Sequence, residues 1–461
     1  MQKIAFLSFN WDYEIVSEYY LGLQEYLEGR EDVQVVVFNS FGYFYARHKP
    51  MDSSFRVFSL CDLDDYDGVL VQGNRTWPPE LRQRIVDHAV LLGKPVVSIN
   101  YDLKGACTVG TNNYREEYEL VRRVLRDRGC RRPVFVSGLK TSVEAQDRTR
   151  GYRDACAGFG IPNATVYQAN WQIESGMAVA QRMLRKPASL PDVVFCCNDD
   201  LAVGVQETLQ AAGIRVPEDV MVTGFDNREV HAHMSPRITT IDRDYRTIAK
   251  TAIKTILRAL DGEKLPSKVF SPARQVLTES CRYEAESKDA GHVASHAEAD
   301  STKDFCKRVG DFQAATLDAE VLYSVLENCE ALARELGCPS AYLSLNDDYL
   351  DSGVPGGGEE FGKTCRLVAH SGPSLMLPCD GEHVYARYET SRLLPPGVPF
   401  DRPLYIVSQL RHGSSSIGML VTEGVPGVMR QGYLALYINL LSASIDAVRN
   451  LELLRTALRW E

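Results

Sequence analysis

Several short patterns in this 461-residue chain place reactive groups at spacings that do chemistry elsewhere, and each is judged here by the elements that would have to hold it. Residues 357–364, from Gly357 to Lys363 and Thr364, satisfy G-x-x-x-x-G-K-[ST], the spacing by which backbone amides cradle a phosphate. Such a loop needs a buried strand before it and a helix after it, so that amides and helix end converge on the anion. Here the run DDYLDSGVP precedes it, an alternating stretch at 365–369 follows, and Glu359 and Glu360 would put carboxylates into the anion's seat. The segment therefore reads as a surface loop. His292 and His296 stand four apart, and His231 and His233 two apart, but neither pair has a third ligand at metal-site spacing, so no metal is expected. The arginine run Arg122, Arg123, Arg126, Arg128, Arg131 and Arg132 closes a helical stretch, where cations complement the macrodipole on a solvated face. With no G-x-S-x-G, H-E-x-x-H or paired-carboxylate constellation, the sequence predicts neither an enzyme nor a cofactor.

Composition narrows the partners. Lys plus Arg number 51 against 61 Asp plus Glu, and the resulting charge of −10 repels a polyphosphate backbone, so direct nucleic-acid binding is not expected. The opening run at 3–9 turns polar at Asn10, Trp11 and Asp12, too soon for a signal-peptide core, and no 18-residue apolar stretch occurs elsewhere, which predicts a cytoplasmic chain without membrane contact. Twelve cysteines without a C-x-x-C point to reduced, buried thiols.

The elements follow from hydrophobic rhythm. Between Met1 and Cys281, short β-branched runs at 4–7, 35–38, 68–71, 95–99, 134–136, 193–195 and 220–223 alternate with helical patterns, as in parallel sheets covered on both faces. This predicts an α/β fold of two doubly wound parallel-sheet lobes. Residues 284–301 have Val293 as their only large aliphatic side chain and read as a linker, which divides the chain into 1–283, 284–304 and 305–461. The last part reads as α+β, with a helix at 319–336, a hairpin across Arg411 to Ser414, and a long terminal helix whose apolar stripe (Leu434, Tyr437, Leu441, Ile445, Val448, Leu451, Leu454, Leu458) suggests a homodimeric coiled coil.

Over about residues 3–283 the sequence resembles the ligand-binding core of the lactose-repressor and galactose-repressor family, which has the fold of periplasmic sugar-binding proteins. The landmarks are Arg148-Thr149-Arg150-Gly151-Tyr152, like the family's R-x-x-G-Y; Asn198-Asp199-Asp200-Leu201-Ala202-Val203-Gly204, like its N-D-x-x-A-x-G; Val216-Pro217-Glu218-Asp219-Val220 leading to Gly224-Phe225-Asp226; and Ile238-Thr239-Thr240-Ile241. In such two-lobed proteins ligands bind outside the carboxyl ends of the strands, positions held here by Asp12, Tyr13, Asn100, Asn198 and Asp226. The resemblance implies that Arg148, Trp171, Asn198 and Asp226 touch a small polar ligand in an interlobe cleft: a guanidinium fork, an aromatic wall and acceptors suited to a sugar-like or nucleoside-like molecule. The same residues also fit plainer roles, Asp226 and Asn198 as helix caps and Trp171 as core. Asn100 stands where the family often has an acid, and the chain enters its first strand at Lys3 without the family's helix-turn-helix.

Over about residues 316–454 the chain resembles a GAF-type sensory domain, on Leu336-Gly337-Cys338-Pro339-Ser340-Ala341, the strand Ser416 to Leu420 and the terminal helix. Residues 357–361, GGEEF, resemble the diguanylate cyclase signature but lack its upstream D-x-L-T-G-L-x-N-R segment. The expectation is a ligand sensor that passes its state to an output. The alternatives are a regulator of the lactose-repressor type reaching DNA through a partner, or the sensory part of a diguanylate cyclase.

Overall fold

The computed structural model describes residues 1–10, 13–41, 51–72, 77–229, 233–284, 337–351, 360–371, 387–429 and 433–458, with isolated positions between 307 and 336. They form two compact units: Met1–Gly110 with Tyr245–Val269 and Glu298–Glu461, and Thr111–Asp244 with Phe270–Ala297.

The first unit opens with five parallel strands, β1 (Gln2–Asn10), β2 (Val33–Phe41), β3 (Gly68–Gln72), β4 (Val96–Ile99) and β5 (Cys107–Gly110), wound through α1 (Tyr13–Leu27) and α2 (Pro79–Leu91). Their β-branched runs are buried on both faces, and the absence of alternation in Ile4 to Leu7 and Val35 to Phe38 reflects that two-sided cover.

In the second unit, α3 (Asn113–Arg128) leads to β6 (Pro133–Ser137), α4 (Val143–Gly158), β7 (Thr165–Gln168), α5 (Ile173–Leu184), β8 (Val193–Cys196), α6 (Asp199–Ala211), β9 (Met221–Thr223) and β10 (Thr240–Asp242). The parallel order is β7-β6-β8-β9, so the winding reverses between β6 and β8. Helices α5 and α6 cross closely because Gly204 has no side chain: a Cβ there would stand 2.1 Å from the carbonyl oxygen of Ile173. The chain then returns through α7 (Tyr245–Leu260), whose Ile248, Ala252 and Ile256 join the first unit's core, and through β11 (Lys268–Phe270) beside β5; β12 (Arg274–Val276) pairs with β10.

The C-terminal third supplies β13 (Ala341–Asn346), α8 (Asp347–Asp351), β14 (Thr364–Ser371), β15 (Arg387–Glu389), β16 (Leu404–His412), β17 (Ser415–Glu423) and α9 (Tyr433–Leu458). The five strands are antiparallel in the order β16-β17-β13-β14-β15, an α+β arrangement with the long terminal helix read from the sequence. These strands do not form a separate sheet. Strand β16 runs parallel beside β2, with Leu404 opposite Val35 and Ser408 opposite Asn39, giving one 11-stranded sheet. The compact units thus cut the chain differently from the expected 1–283, 284–304 and 305–461, because main-chain pairing to a remote strand outweighs adjacency in sequence. On α9, Leu434, Tyr437, Leu441, Ile445 and Val448 are buried, whereas Leu451, Leu454 and Leu458 are exposed. Among the described residues no helix is long and apolar enough to cross a membrane.

Candidate functional site

The second unit gathers its buried polar groups at the carboxyl edge of the β7-β6-β8-β9 sheet. Arg148, on α4, is 1% exposed. Its Nε donates to Asn113 Oδ1 at 3.0 Å, its Nη1 to the carbonyl of Cys197 just past β8, and its Nη2 faces Asp226 Oδ1 at 3.5 Å. The guanidinium carbon lies 3.6 Å from the centroid of the Phe225 ring and 5.9 Å from that of Trp171. A charge so deeply placed is tolerable only with such partners.

Asp226 follows β9 by three residues and is held with φ at 107°, next to Asn227 at 55°, two successive non-glycine residues in a region L-residues avoid. Backbone strain of this kind costs on the order of 1–3 kcal/mol per residue and concentrates at functional sites. Its amide donates to Ile241 O at 2.9 Å, which anchors the turn. Asp226 uses only Oδ1 toward its two arginines, at the long distances of 3.5 Å to Arg148 and 3.4 Å to Arg243, which leaves acceptor capacity on the carboxylate.

Trp171, partly buried three residues past β7, packs against Gly138 just past β6; a Cβ at Gly138 would stand 2.7 Å from the indole. Asn198 is committed at both ends: its Oδ1 caps α6 by accepting from Leu201 N at 3.1 Å, and its Nδ2 donates to the Trp171 carbonyl at 3.0 Å. It fixes the indole's backbone and starts the helix. Asp199 is a fully buried buttress, taking Thr240 Oγ1 at 2.6 Å and Arg228 N at 2.7 Å, and burial pushes its carboxyl well above the usual range. Gly224 has to be glycine because a Cβ there would reach Asp199 Oδ1 at 2.1 Å.

Sequence reasoning missed a second guanidinium. Arg243, also buried, bonds Thr111 Oγ1 at 3.2 Å, Asp226 Oδ1 at 3.4 Å and Glu144 Oε1 at 3.0 Å. Burial would raise the Glu144 carboxyl, but the charges of Arg243 and Arg148 outweigh it and hold the group below its ordinary value. The only signal for Arg243 in the sequence is a charged triplet after a strand, Asp242-Arg243-Asp244, which looks like any surface turn. Glu117 on α3 was missed as well. It is 1% exposed, neither carboxyl oxygen has a hydrogen-bond partner, and burial raises its pKa to about 8 against a smaller opposing pull from Arg148.

The structure thus brings Arg148, Trp171, Asn198 and Asp226 together within one unit. Asn100 and Tyr13 belong to the first unit. Asn100 takes the left-handed conformation that asparagine tolerates, with φ at 59°, and donates from Nδ2 to Tyr19 Oη at 2.6 Å. Tyr13, half-buried, begins α1. Asp12 lies outside the described residues, as do His231, His292, His296, residues 357–359 and most of 319–336. Among the described residues no three His, Cys, Asp or Glu side chains stand together as a metal site. A cavity of about 190 Å³ bounded by Leu7, Phe58, Cys61 and Ile85 lies in the first unit, and a groove of about 550 Å³ beside Arg115, Arg123 and Gln275 lies on the second; neither includes a residue of the Arg148 cluster. The candidate site rests on convergent buried polar groups at a winding reversal, where open α/β sheets bind ligands.

Residues 123–281, which take in most of the second unit and the 245–269 stretch of the first, match the profile of the periplasmic binding protein-like domain family. Among curated proteins the chain is similar to the HTH-type transcriptional repressor PurR of Vibrio vulnificus, 28% identical over 207 residues, covering 44% of this chain and 60% of that protein. It is also similar to the Ribose operon repressor of Haemophilus influenzae, 33% identical over 144 residues, covering 31% and 43% respectively. The chain spans about half the length of these relatives. Among solved structures, the Escherichia coli transcriptional repressor ascG aligns over 61% of this chain and 99% of its own at 21% identity, with a TM-score of 0.47. The profile match and the curated relatives support a ligand-binding core of the kind the sequence resembles.

Proposed function

We propose that this chain is a small-molecule sensor whose second unit seats a sugar-like or nucleoside-like ligand at the carboxyl edge of its sheet. The observation that carries this reading is the convergence of Arg148, Asp226 and Trp171 on one spot, with acceptor capacity left on Asp226. A polyol's hydroxyls donate to a carboxylate and accept from a guanidinium, while its C–H face lies on an indole. In this reading Asn198 serves the ligand through the indole it holds. Asn100, Asp12 and Tyr13 are proposed as further ligand contacts on the resemblance alone.

The relatives are transcriptional repressors, which favours gene regulation as the output. With a net charge of −10, this chain reaches DNA through a partner in that reading. The sensor acts as a cytoplasmic homodimer, without chemistry on the ligand, and residues 305–461 are its GAF-like relay.

The test is thermal unfolding with a panel of sugars and nucleosides that includes D-ribose, cellobiose and adenosine. A true ligand at about a hundredfold excess over its Kd stabilises by about 2.7 kcal/mol. Arg148→Ala and Asp226→Ala are expected to abolish that shift. A stabilisation that survives both substitutions would move the site elsewhere.

A further inference from the structure

We propose that the β2 edge of the first lobe, together with the 3₁₀ segment Met51–Leu60, is a docking surface whose partner is this chain's own C-terminal domain, and that strand addition there, not the tether at 284–304, holds the domain in place. Left open, β2 would present a row of unpaired amides and carbonyls, the template for strand addition. Strand β16 fills it over Leu404 to Ser408, and the ladder is extended by Val35 N donating to Pro403 O at 2.8 Å. Side chains continue the pattern beyond the strands. Gln34 Nε2 donates to the carbonyls of Phe400 and Arg402 at 3.1 and 2.9 Å, Gln24 Oε1 accepts from Val425 N at 2.8 Å, and Arg411 Nη1 reaches Ser53 Oγ at 3.1 Å. Arg56 donates to the Ser414 carbonyl.

What fits this edge is chemically narrow. Both faces of β2 are covered, so an added strand must be apolar on both sides, and an amphipathic strand would press a polar row against one core. Leu404-Tyr405-Ile406-Val407 meets that demand: Tyr405 and Val407 enter the cluster of Val36, Phe38 and Phe55, while Leu404 and Ile406 enter that of Leu23, Val35 and Val37. Two apolar layers and a main-chain ladder thus cross one seam. Separating them would expose both cores at once, a far larger loss than the covalent connection through 284–304 alone could offset by raising effective concentration.

The experiment uses the full chain with a protease site inserted between Asp289 and Ala290, cut to completion and run on size exclusion at micromolar concentration. Both fragments are expected in one peak, in equal amounts, at the elution volume of the uncut chain. Separate elution of the two fragments would overturn the proposal. Val407→Pro, which removes an amide that the alternation set by Val35 N on Pro403 O turns toward β2, is expected to release the C-terminal fragment after cutting. Should that variant fail to fold, hydrogen exchange on the uncut wild-type chain decides: protection of the Val35 amide comparable with that of Ile4 supports the seam, and exchange at the rate of an exposed edge strand refutes it.

Discussion

The two units wind their parallel strands by the same rules and treat the ends of their sheets in opposite ways. The first closes the open edge of its long strands: β2, nine residues and buried almost throughout, is paired along its flank by β16 and sealed by apolar side chains on both faces. The second keeps short strands, with β7 half exposed at one edge, and invests its buried polarity at the carboxyl ends, where Arg148, Arg243, Asp226, Asp199 and Glu117 gather. Apolar closure along β2 gives the first unit a sealed sheet edge. Buried charge leaves the second with long contacts, 3.5 and 3.4 Å from Arg148 and Arg243 to Asp226, on which the proposed ligand site rests.

The comparison can be broken hardest at Glu117. The folded unit keeps this carboxyl protonated up to about pH 8, whereas the unfolded chain releases the proton near 4.5. Its contribution to stability is therefore fully present below pH 4.5 and falls away as pH rises to 8, by about 3 kcal/mol at pH 7. Glu117→Gln is expected to flatten the dependence of the second unit's unfolding free energy on pH between 5 and 8, measured by urea titration at each pH. An unchanged slope would mean that Glu117 is hydrated, and that the contrast in buried polarity is smaller than described.

A smaller effect is expected at the α5–α6 crossing. Gly204→Ala places a methyl group 2.1 Å from a backbone carbonyl that has no flexible end to move, and should lower stability by about 1–3 kcal/mol in a thermal or urea melt. A neutral result would show that the second unit's helices are free to slide. The least effect belongs to the far end of α9, where Leu454 is 56% exposed; Leu454→Ser should change the stability of the dilute monomer by no more than about 0.5 kcal/mol. A larger loss that grows with protein concentration would sharpen the picture by revealing a helix partner.

Most of the strands were legible because β-branched runs such as Val35 to Phe38 and Val193 to Phe195 admit little else. Strand β7 was not, since Thr165-Val166-Tyr167-Gln168 is a four-residue edge strand with no apolar run. The pairing of β2 with β16 leaves no local trace: each strand looks complete by itself, and only the folded chain shows which edge the other fills. At the candidate site, the grouping of Arg148, Asn198 and Asp226 was expected from motif order and that of Trp171 from the family resemblance alone, and the structure brings the four together within one unit. The plainer reading of Asn198 as a helix cap is what the structure shows, with the same amide side chain also donating to the Trp171 carbonyl. Arg243 and Glu144 were invisible because Arg243 bonds Thr111, Asp226 and Glu144, three residues that are remote from it in sequence.

The seam between β2 and β16 also dictates when the molecule is finished. Gln34 waits for main-chain acceptors 366 and 368 positions downstream, so a growing chain has made both lobes before the strand that completes the first sheet leaves the ribosome. During that interval the nascent protein carries a long, apolar, unsatisfied flank, the kind of surface that slow nonlocal pairing leaves open to chaperones and to self-association.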